Sequence, residues 1–319
     1  MTLGLKRIEL EEGPATREAF GEALAELGTN ERVVVVDGDV NNSTFTNHFA
    51  ERFPERFFNV GIAESNLVGI AAGLAGAGKI AVCASFSTFV MSNAFDQIRM
   101  SVAFPNQNVK IVGSHAGISI GEDGPSQMAI EDVALACALP GFTVIVPADG
   151  PSARAATKAM IEREGPTFLR CGRPKVPLIY DDPADFHVGK ANELRSGNDV
   201  TIIANGIMVA MALDAAEALK EEGVQARVLD MHTVKPLDVT AIERAANETK
   251  GIVVAEEHLA YGGMGSSIAM VVAERKPTKM AFVDIGDTYA TSGTAEELLR
   301  QYGLTPDAIA DAARRVLKD

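Results

Sequence analysis

No uncharged apolar run in this 319-residue sequence reaches the ~20 residues that a membrane-spanning helix requires, so a transmembrane role is not expected. Clustered cysteine is missing as well. Cys83, Cys137 and Cys171 lie far apart with no C-x-x-C, which argues against a zinc site or a disulfide framework and for buried free thiols. The five histidines include no H-x-x-x-H or comparable spacing, so a transition metal held by this chain is not expected either. Positive charge is scarce, with 29 Lys and Arg against 43 Asp and Glu and a formal net charge of -14. Non-specific nucleic-acid binding needs clustered basic residues to neutralise phosphates, and this balance disfavours it. Small anionic substrates are not excluded, because net charge is screened over ~8 Å at physiological salt and two or three local arginines still hold a phosphate. From Met1 to Gly13 the chain carries Lys6, Arg7, Glu9, Glu11 and Glu12 with no apolar core, unlike a secretory signal, and a cytoplasmic location is expected.

What is present is a globular composition, 47% hydrophobic and 23% charged, at a length that suits two domains of ordinary size. Apolar runs of strand length alternate with helical stretches, the pattern of α/β domains whose mainly parallel sheets are flanked by helices. In the first half, strands are expected over 33–37, 80–84, 109–113, 143–147 and 167–170, with helices over 16–27, 65–77, 89–103, 128–138 and 152–164. Pro174, Pro177 and Asp181-Asp182-Pro183 then mark a crossing segment without helical period, which divides the chain into domains at residues 1–180 and 181–319. The second half repeats the alternation, with strands over 200–204, 226–230, 251–255 and 280–283. Its helices are expected over 209–222, 238–248, 265–273, 295–302 and 306–317, the last capped by Thr305 with Pro306 in the first helical position.

Two segments carry candidate chemistry. Glu64 is a lone carboxylate in Val60-Gly61-Ile62-Ala63-Glu64-Ser65-Asn66, ahead of an almost wholly apolar stretch to Ala77 that reads as a buried helix. Desolvation in such surroundings raises a carboxyl pKa unless a partner hydrogen-bonds it, which marks Glu64 as a functional candidate. The second segment runs from Gly113 to Gln127, Gly-Ser-His-Ala-Gly-Ile-Ser-Ile-Gly-Glu-Asp-Gly-Pro-Ser-Gln, between a strand and a helix. Loops at the carboxyl ends of parallel strands are where open α/β sheets bind ligands, and His115, Asp123 and Gln127 offer the donors and acceptors a polyhydroxy compound needs. Gly73, Gly76 and Gly78 lie in a helical run rather than after a strand, so close helix packing is expected of them instead of dinucleotide binding.

Together with Phe95-Asp96-Gln97-Ile98-Arg99-Met100, Asp37-Gly38-Asp39, Asn42-Ser43-Thr44-Phe45, Arg173-Pro174, Lys235-Pro236-Leu237-Asp238 and Gly262-Gly263, these segments resemble the carboxyl-terminal half of a transketolase, in the branch that includes the animal enzymes. The resemblance runs nearly the whole chain. It implies a pyrimidine-binding domain at 1–180 followed by a transketolase C-terminal domain at 181–319. It further implies transfer of a two-carbon ketol unit from a ketose phosphate to an aldose phosphate, with thiamine diphosphate as cofactor. Glu64 then matches the family's catalytic glutamate, which hydrogen-bonds the pyrimidine ring nitrogen and exchanges its proton. Phe86 and Phe89 match the aromatic wall against the aminopyrimidine, Phe89 being the better candidate. His115 and Asp123 match positions on the sugar hydroxyls, and Arg17, Ser43 and Arg173 match the phosphate grip. Gln127 stands where bacterial and yeast transketolases usually have His and can hydrogen-bond cofactor or sugar without acting as an acid. His258, after Glu256-Glu257, is read as structural.

The family holds the diphosphate through Mg²⁺ in a separate domain marked by G-D-G and an Asn some ~30 residues later, a hard-cation site. This sequence has no G-D-G, and Asp37-Gly38-Asp39-Val40-Asn41-Asn42 has the wrong order. A split enzyme is therefore implied, in which an N-terminal partner subunit supplies the metal and diphosphate site, with two copies of each subunit. Without cofactor and partner, Glu64 is expected to be an idle, solvent-reached acid. The nearest alternatives are the beta subunit of a 2-oxoacid dehydrogenase and a deoxyxylulose-phosphate-synthase-like enzyme, while a non-catalytic stabilising subunit has no need of the Glu64, His115, Asp123 and Arg173 set. The loop from Gly121 to Gln127 with His115 favours the sugar-handling reading over the oxoacid one.

Overall fold

Alternate residues of the valine run at 33–36 enter opposite cores: Val33 and Val35 pack in one apolar cluster, Val34 and Val36 in another. Burial on both faces is what a covered parallel sheet demands, and it explains why the strands read as continuous apolar runs. In the computed structural model residues 4–182 and 184–318 are described; residues 1–3 of the N-terminal segment and Pro183 of the expected linker lie outside them.

The first half comprises β1 (Glu12–Ala15), α1 (Thr16–Leu27), β2 (Val33–Asp37), α2 (Asn41–Thr44), α3 (Asn47–Arg52), β3 (Phe57–Asn59), α4 (Glu64–Gly76), β4 (Ile80–Phe86), α5 (Phe95–Gln97), β5 (Val109–Ser114), α6 (Asp132–Cys137), β6 (Thr143–Ile145), α7 (Gly150–Glu162), β7 (Thr167–Arg170) and β8 (Lys175–Pro177). The second comprises β9 (Asn192–Arg195), β10 (Val200–Ala204), α8 (Met208–Glu221), β11 (Ala226–Asp230), β12 (Thr233–Lys235), α9 (Val239–Glu248), β13 (Ile252–Ala255), α10 (Met264–Arg275), β14 (Met280–Val283), α11 (Ala295–Gln301) and α12 (Pro306–Leu317). One sheet has the order β12-β6-β7-β5-β4-β2-β3, parallel throughout except for β12. The other has the order β14-β13-β10-β11-β9 and is parallel except for β9. Two α/β domains with mainly parallel sheets are thus present, as the sequence pattern implies.

Helix α1 occupies the expected range and α12 begins as expected, with Thr305 accepting from the Ala308 amide and Pro306 in the first turn. Helix α7 starts earlier than expected because Asp149 and Ser152 cap it reciprocally. The expected helix at 89–103 is broken into two π-helical turns, 89–93 and 98–103, around α5, since Ala94 leaves the helical region at φ -103. The expected helix at 128–138 begins only at Asp132, because Ala129 is drawn into a bridge with Ala116. The expected strand at 143–147 ends at Ile145.

The crossing segment is more ordered than proline content suggests. Strand β8 pairs antiparallel with β1, and Asp149, while capping α7, uses its second carboxylate oxygen to accept from the Ile179 and Tyr180 amides at 2.7 and 2.9 Å. The Tyr180 hydroxyl then donates to Asp230 at 2.7 Å on the second sheet, where burial pushes the Asp230 carboxyl up to about 7. Strand β12 belongs by sequence to the second half yet pairs antiparallel with β6 of the first sheet. Lys235 at its end donates to the carbonyls of Cys137 and Leu139 at 2.8 and 2.6 Å, closing α6 from across the domain boundary. Cys83 and Cys171 are buried, Cys137 is half-buried, and all three are free. No helix among the described residues is long and apolar enough to cross a membrane.

Gly73 and Gly78 correct the packing expectation. Space for an added Cβ is open at both, and at Gly76 only the Gln107 amide comes within 3.7 Å, so among the described residues no helix packs against them. That side of α4 faces outward, with Gly69, Gly73 and Gly76 exposed.

Asp149 carries the most separable contribution to this framework. Asp149→Ala leaves the Ser152, Ile179 and Tyr180 amides without their acceptor and should lower unfolding free energy by roughly 2–4 kcal/mol, since buried donors stripped of a charged partner lose ~1–3 kcal/mol each with partial recovery by water. Urea denaturation followed by circular dichroism measures this; a midpoint equal to that of the unaltered chain would contradict it.

Candidate active site

Every strand of the first sheet that bears a candidate residue runs parallel, so the loops that follow β2, β3, β4, β5 and β7 emerge at one edge. Ser43 follows β2, Glu64 follows β3, Phe86 and Phe89 stand at and after the end of β4, His115, Asp123 and Gln127 follow β5, and Arg173 follows β7. Arg17, at the start of α1, reaches the same edge. This is where an open α/β sheet offers a crevice.

Glu64 is the first residue of α4, and its side chain is buried, with the residue only 5% exposed. The Asn93 amide donates to its carboxylate at 3.1 Å, and the Ser65 hydroxyl donates to the Asn93 carbonyl at 3.2 Å. A solvent-reached acid is therefore not what the chain alone presents: the break in the helical segment at 89–103 sets Asn93 against Glu64. The same π-helical turn carries Phe89.

The rings of Phe86 and Phe89 are stacked, with centroids 6.3 Å apart at 14°, and His115 lies on Phe86 at 3.9 Å and 20°. His115 covers part of the Phe86 face, which leaves Phe89 the more available of the two. His115 adopts a positive φ of 58°, uncommon outside glycine, and its Nδ1 lies 2.7 Å from the Ser114 hydroxyl. Burial first, then the charges of Arg17 and Arg173, push its pKa down to about 3.

The Arg17 guanidinium links the pieces. Its Nη1 donates to the Ser43 carbonyl at 2.7 Å and lies 3.4 Å from His115 Nε2, while its Nε donates to the Arg173 carbonyl at 3.3 Å. It stands 5.2 Å from the Phe45 ring centroid, a cation–π distance. Burial and the nearby Arg173 charge hold its pKa below the ordinary arginine value, with Glu18 and Asp123 acting in the opposite direction. Arg173 donates to the Ile120 carbonyl at 2.6 Å and to Glu122 at 3.2 Å. A cavity of about 430 Å³ opens here, lined by Arg17, Ser119, Glu122, Arg173, Lys175 and Thr294 among others.

The structure thus brings Arg17, Ser43, His115, Phe86 and Arg173 into one contiguous set, with Phe89 joining it to Glu64. Ser43 enters through its carbonyl rather than its hydroxyl. Asp123 is exposed and reaches Arg17 through charge alone, and Gln127 contacts its own loop, accepting from the Ser126 hydroxyl. His258 holds backbone across the domain boundary, with the Ala134 amide donating to its Nε2 at 3.3 Å and its Nδ1 2.9 Å from the Leu259 carbonyl.

Three supports escaped the sequence. Asn93 is one; its signal is the polar pair Ser92-Asn93 inside an apolar run. The second is buried Asp37, which accepts from the Val40 amide and the Thr44 and Thr46 hydroxyls at 2.7–2.8 Å and closes the loop that carries Ser43. Burial raises its pKa against those hydrogen bonds. The third is the buried pair of Arg170 and Asp132, joined at 2.9 Å, with the Ser87 hydroxyl donating to Asp132 at 2.6 Å.

Comparison with known proteins identifies both domains. The transketolase pyrimidine-binding domain matches residues 12–178 and the transketolase C-terminal domain matches residues 189–309. A Methanocaldococcus jannaschii protein provisionally named a transketolase C-terminal section is 42% identical over 307 residues, 95% of each chain. Human transketolase is 41% identical over 308 residues, 95% of this chain but 49% of the human one, so the chain spans about half the length of the animal enzymes. The solved structure of a split-gene transketolase, an inactive β4 tetramer, superimposes with a TM-score of 0.90 at 45% identity, covering 96% of this chain and 99% of that one. On its two domains and its likeness to these relatives, the chain belongs to the transketolase family and corresponds to the carboxyl-terminal half of its longer members.

Proposed function

We propose that this chain is the C-terminal subunit of a split, thiamine-diphosphate-dependent transketolase that moves a two-carbon ketol unit from a ketose phosphate to an aldose phosphate. The observation that carries the reading is Glu64, a buried carboxylate held by Asn93 at the same sheet edge as a stacked aromatic pair and an arginine–histidine cluster. The likeness to the Methanocaldococcus protein, provisionally named a transketolase C-terminal section, and to the split-gene transketolase supports the split. In this reading residues 1–180 bind the pyrimidine and 181–319 form the C-terminal domain. An N-terminal partner subunit brings Mg²⁺ and the diphosphate site, in an assembly with two copies of each chain. The β4 state of the split-gene relative supports self-association without that partner.

The residues fit the organic half of the cofactor. A carboxylate beside a flat apolar ring suits an aminopyrimidine, which needs a partner for its ring nitrogen and a surface to stack on. Among the described residues, no group of three or more His, Cys, Asp or Glu is placed to hold a metal ion. When bound, thiamine diphosphate supplies an acidic ring carbon that serves as nucleophile and electron sink. Glu64 holds and exchanges a proton at the pyrimidine nitrogen. Phe89, with Phe86 behind it, orients the ring. His115, uncharged at neutral pH, hydrogen-bonds a sugar hydroxyl, and Asp123 takes another. Arg17 and Arg173 hold the terminal phosphate beside Ser43, which requires Arg173 to exchange its Glu122 contact for the incoming anion. Gln127 contributes an amide to cofactor or sugar and no acid.

Reconstituted with its N-terminal partner, thiamine diphosphate and Mg²⁺, the chain should transfer a ketol unit from xylulose 5-phosphate to ribose 5-phosphate, and the chain alone should not. Activity of the chain alone would sink the split-subunit reading. Glu64→Gln should lower turnover by about 10²–10⁴-fold, the usual size of a proton-transfer contribution; full activity of that variant would remove Glu64 from the chemistry.

His115 makes a separate prediction in the chain alone. Its folded pKa of about 3 lies below the ordinary 6.5, so the unfolded chain binds the proton more readily. Stability linked to His115 is present above pH 6.5 and is lost as pH falls toward 3. Urea midpoints measured from pH 7.5 down to 4.5 should fall less steeply for His115→Gln than for the unaltered chain, and parallel curves would contradict the assignment.

A further inference from the structure

The loop that follows β5 carries His115, Asp123 and Gln127, yet four of its apolar residues join the core of the second domain. Ile118, Ile120, Met128 and Ile130 are at most 2% exposed and belong to the core of the second domain, with Val253 and Leu298 among their cluster. Polar contacts repeat the arrangement. The Glu257 carboxylate, just past the end of β13, accepts from the Ser119 amide at 2.6 Å and from the Ser119 hydroxyl at 3.2 Å. Ser119 lies midway between His115 and Asp123. Gly117 has φ +79, and a Cβ there would fall 2.2 Å from the Glu257 carboxyl carbon, so both its conformation and the close approach require glycine. Arg170 fixes the other side, donating to the carbonyls of Ala129 and Glu257 at 2.9 and 3.0 Å. Glu257 itself is 5% exposed, and burial raises its pKa against the charge of Arg170.

A carboxylate taken out of water is tolerated only where charge and hydrogen bonds compensate it, and here both hydrogen bonds go to the midpoint of the sugar loop. We infer that Glu257 is a positioning residue for substrate binding, and that the second domain serves to hold His115 and Asp123 at their working height over the site. The inference rests on the transketolase reading for the identity of the substrate. The holding of the loop can be measured without it. Small displacements of groups that orient a substrate have large kinetic consequences, because binding geometry enters the barrier directly.

Two measurements test it. In the enzyme reconstituted with its partner, Glu257→Ala should raise KM for the ketose phosphate at least 10-fold and Glu257→Gln by a smaller factor. Affinity for thiamine diphosphate should change by a clearly smaller factor than KM, because Glu64 and the turn at 89–93 lie outside the loop that Glu257 holds. A merely structural role would lower the thermal midpoint and the fraction of active enzyme while leaving KM in place, and KM within twofold of the unaltered enzyme would overturn the proposal. In the full chain alone, amide hydrogen exchange at Ser119 and through 117–124 should quicken at least 10-fold in Glu257→Gln, with strands β2, β4 and β5 unchanged. Ser119→Ala, a gentler change that leaves the amide contact, should show the same pattern at a smaller size. Uniform exchange changes, or none, would overturn the loop's dependence on Glu257 even if the reconstituted enzyme proved to have no ketol-transfer activity, in which case the substrate assignment fails separately.

Discussion

The Arg170 guanidinium is the point on which the site edge hangs. Rooted at the end of β7, it meets Asp132 through its Nε and the carbonyls of Ala129 and Glu257 through its Nη2. A single planar cation thereby joins the sheet, the loop after β5, the start of α6 and the second domain. A buried pair of this kind adds little net stability over a well-packed apolar substitute, but loss of one member leaves an uncompensated charge, so the arrangement is strongly self-specifying. Arginine suits the position because its fork satisfies several acceptors in one plane, which the point charge of lysine does not.

From that anchor a pattern recurs along the edge: four segments that carry candidate residues are held by a polar residue set slightly further back. Asp37 closes the loop of Ser43, Asn93 meets Glu64, Ser114 meets His115, and Glu257 meets Ser119. The site is therefore pre-shaped in the chain alone. On its outward side Glu122 and Asp123 are exposed.

Much of this is legible in the sequence. The central strands β2, β4, β5, β6, β7, β10, β11 and β13 announce themselves because burial on both faces needs unbroken apolar runs, whereas β3, β9 and β12 do not, and α1 and α12 are legible because their faces and caps obey local rules. Glu64 stood out for the same reason in reverse, as charge in an apolar run. What the sequence hid is non-local. Nothing in His232-Thr233-Val234-Lys235 says that it will pair with β6 rather than with its neighbours, and nothing in Ile118, Ile120, Met128 and Ile130 says that their core lies beyond the domain boundary. The break at Ala94 was equally silent, since the flanking residues keep a helical pattern and only the pull toward Glu64 distinguishes them. The glycines of α4 misled because small residues permit close packing without naming the surface that supplies it.

The exchange of β12 and the β5 loop across the boundary has a bearing on how the chain reaches its folded state. The first sheet lacks an edge strand until residue 235 has been made, and the second core lacks four of its isoleucine and methionine side chains until the loop from the first half docks. Neither half is thus a finished folding unit. Contacts so distant in sequence slow the search for the native arrangement, and they favour a late, joint condensation of both halves over stepwise completion from the N-terminus. A cut in the crossing segment would yield two fragments, each bearing a groove shaped for the other, and two chains caught midway would be able to trade these pieces with one another.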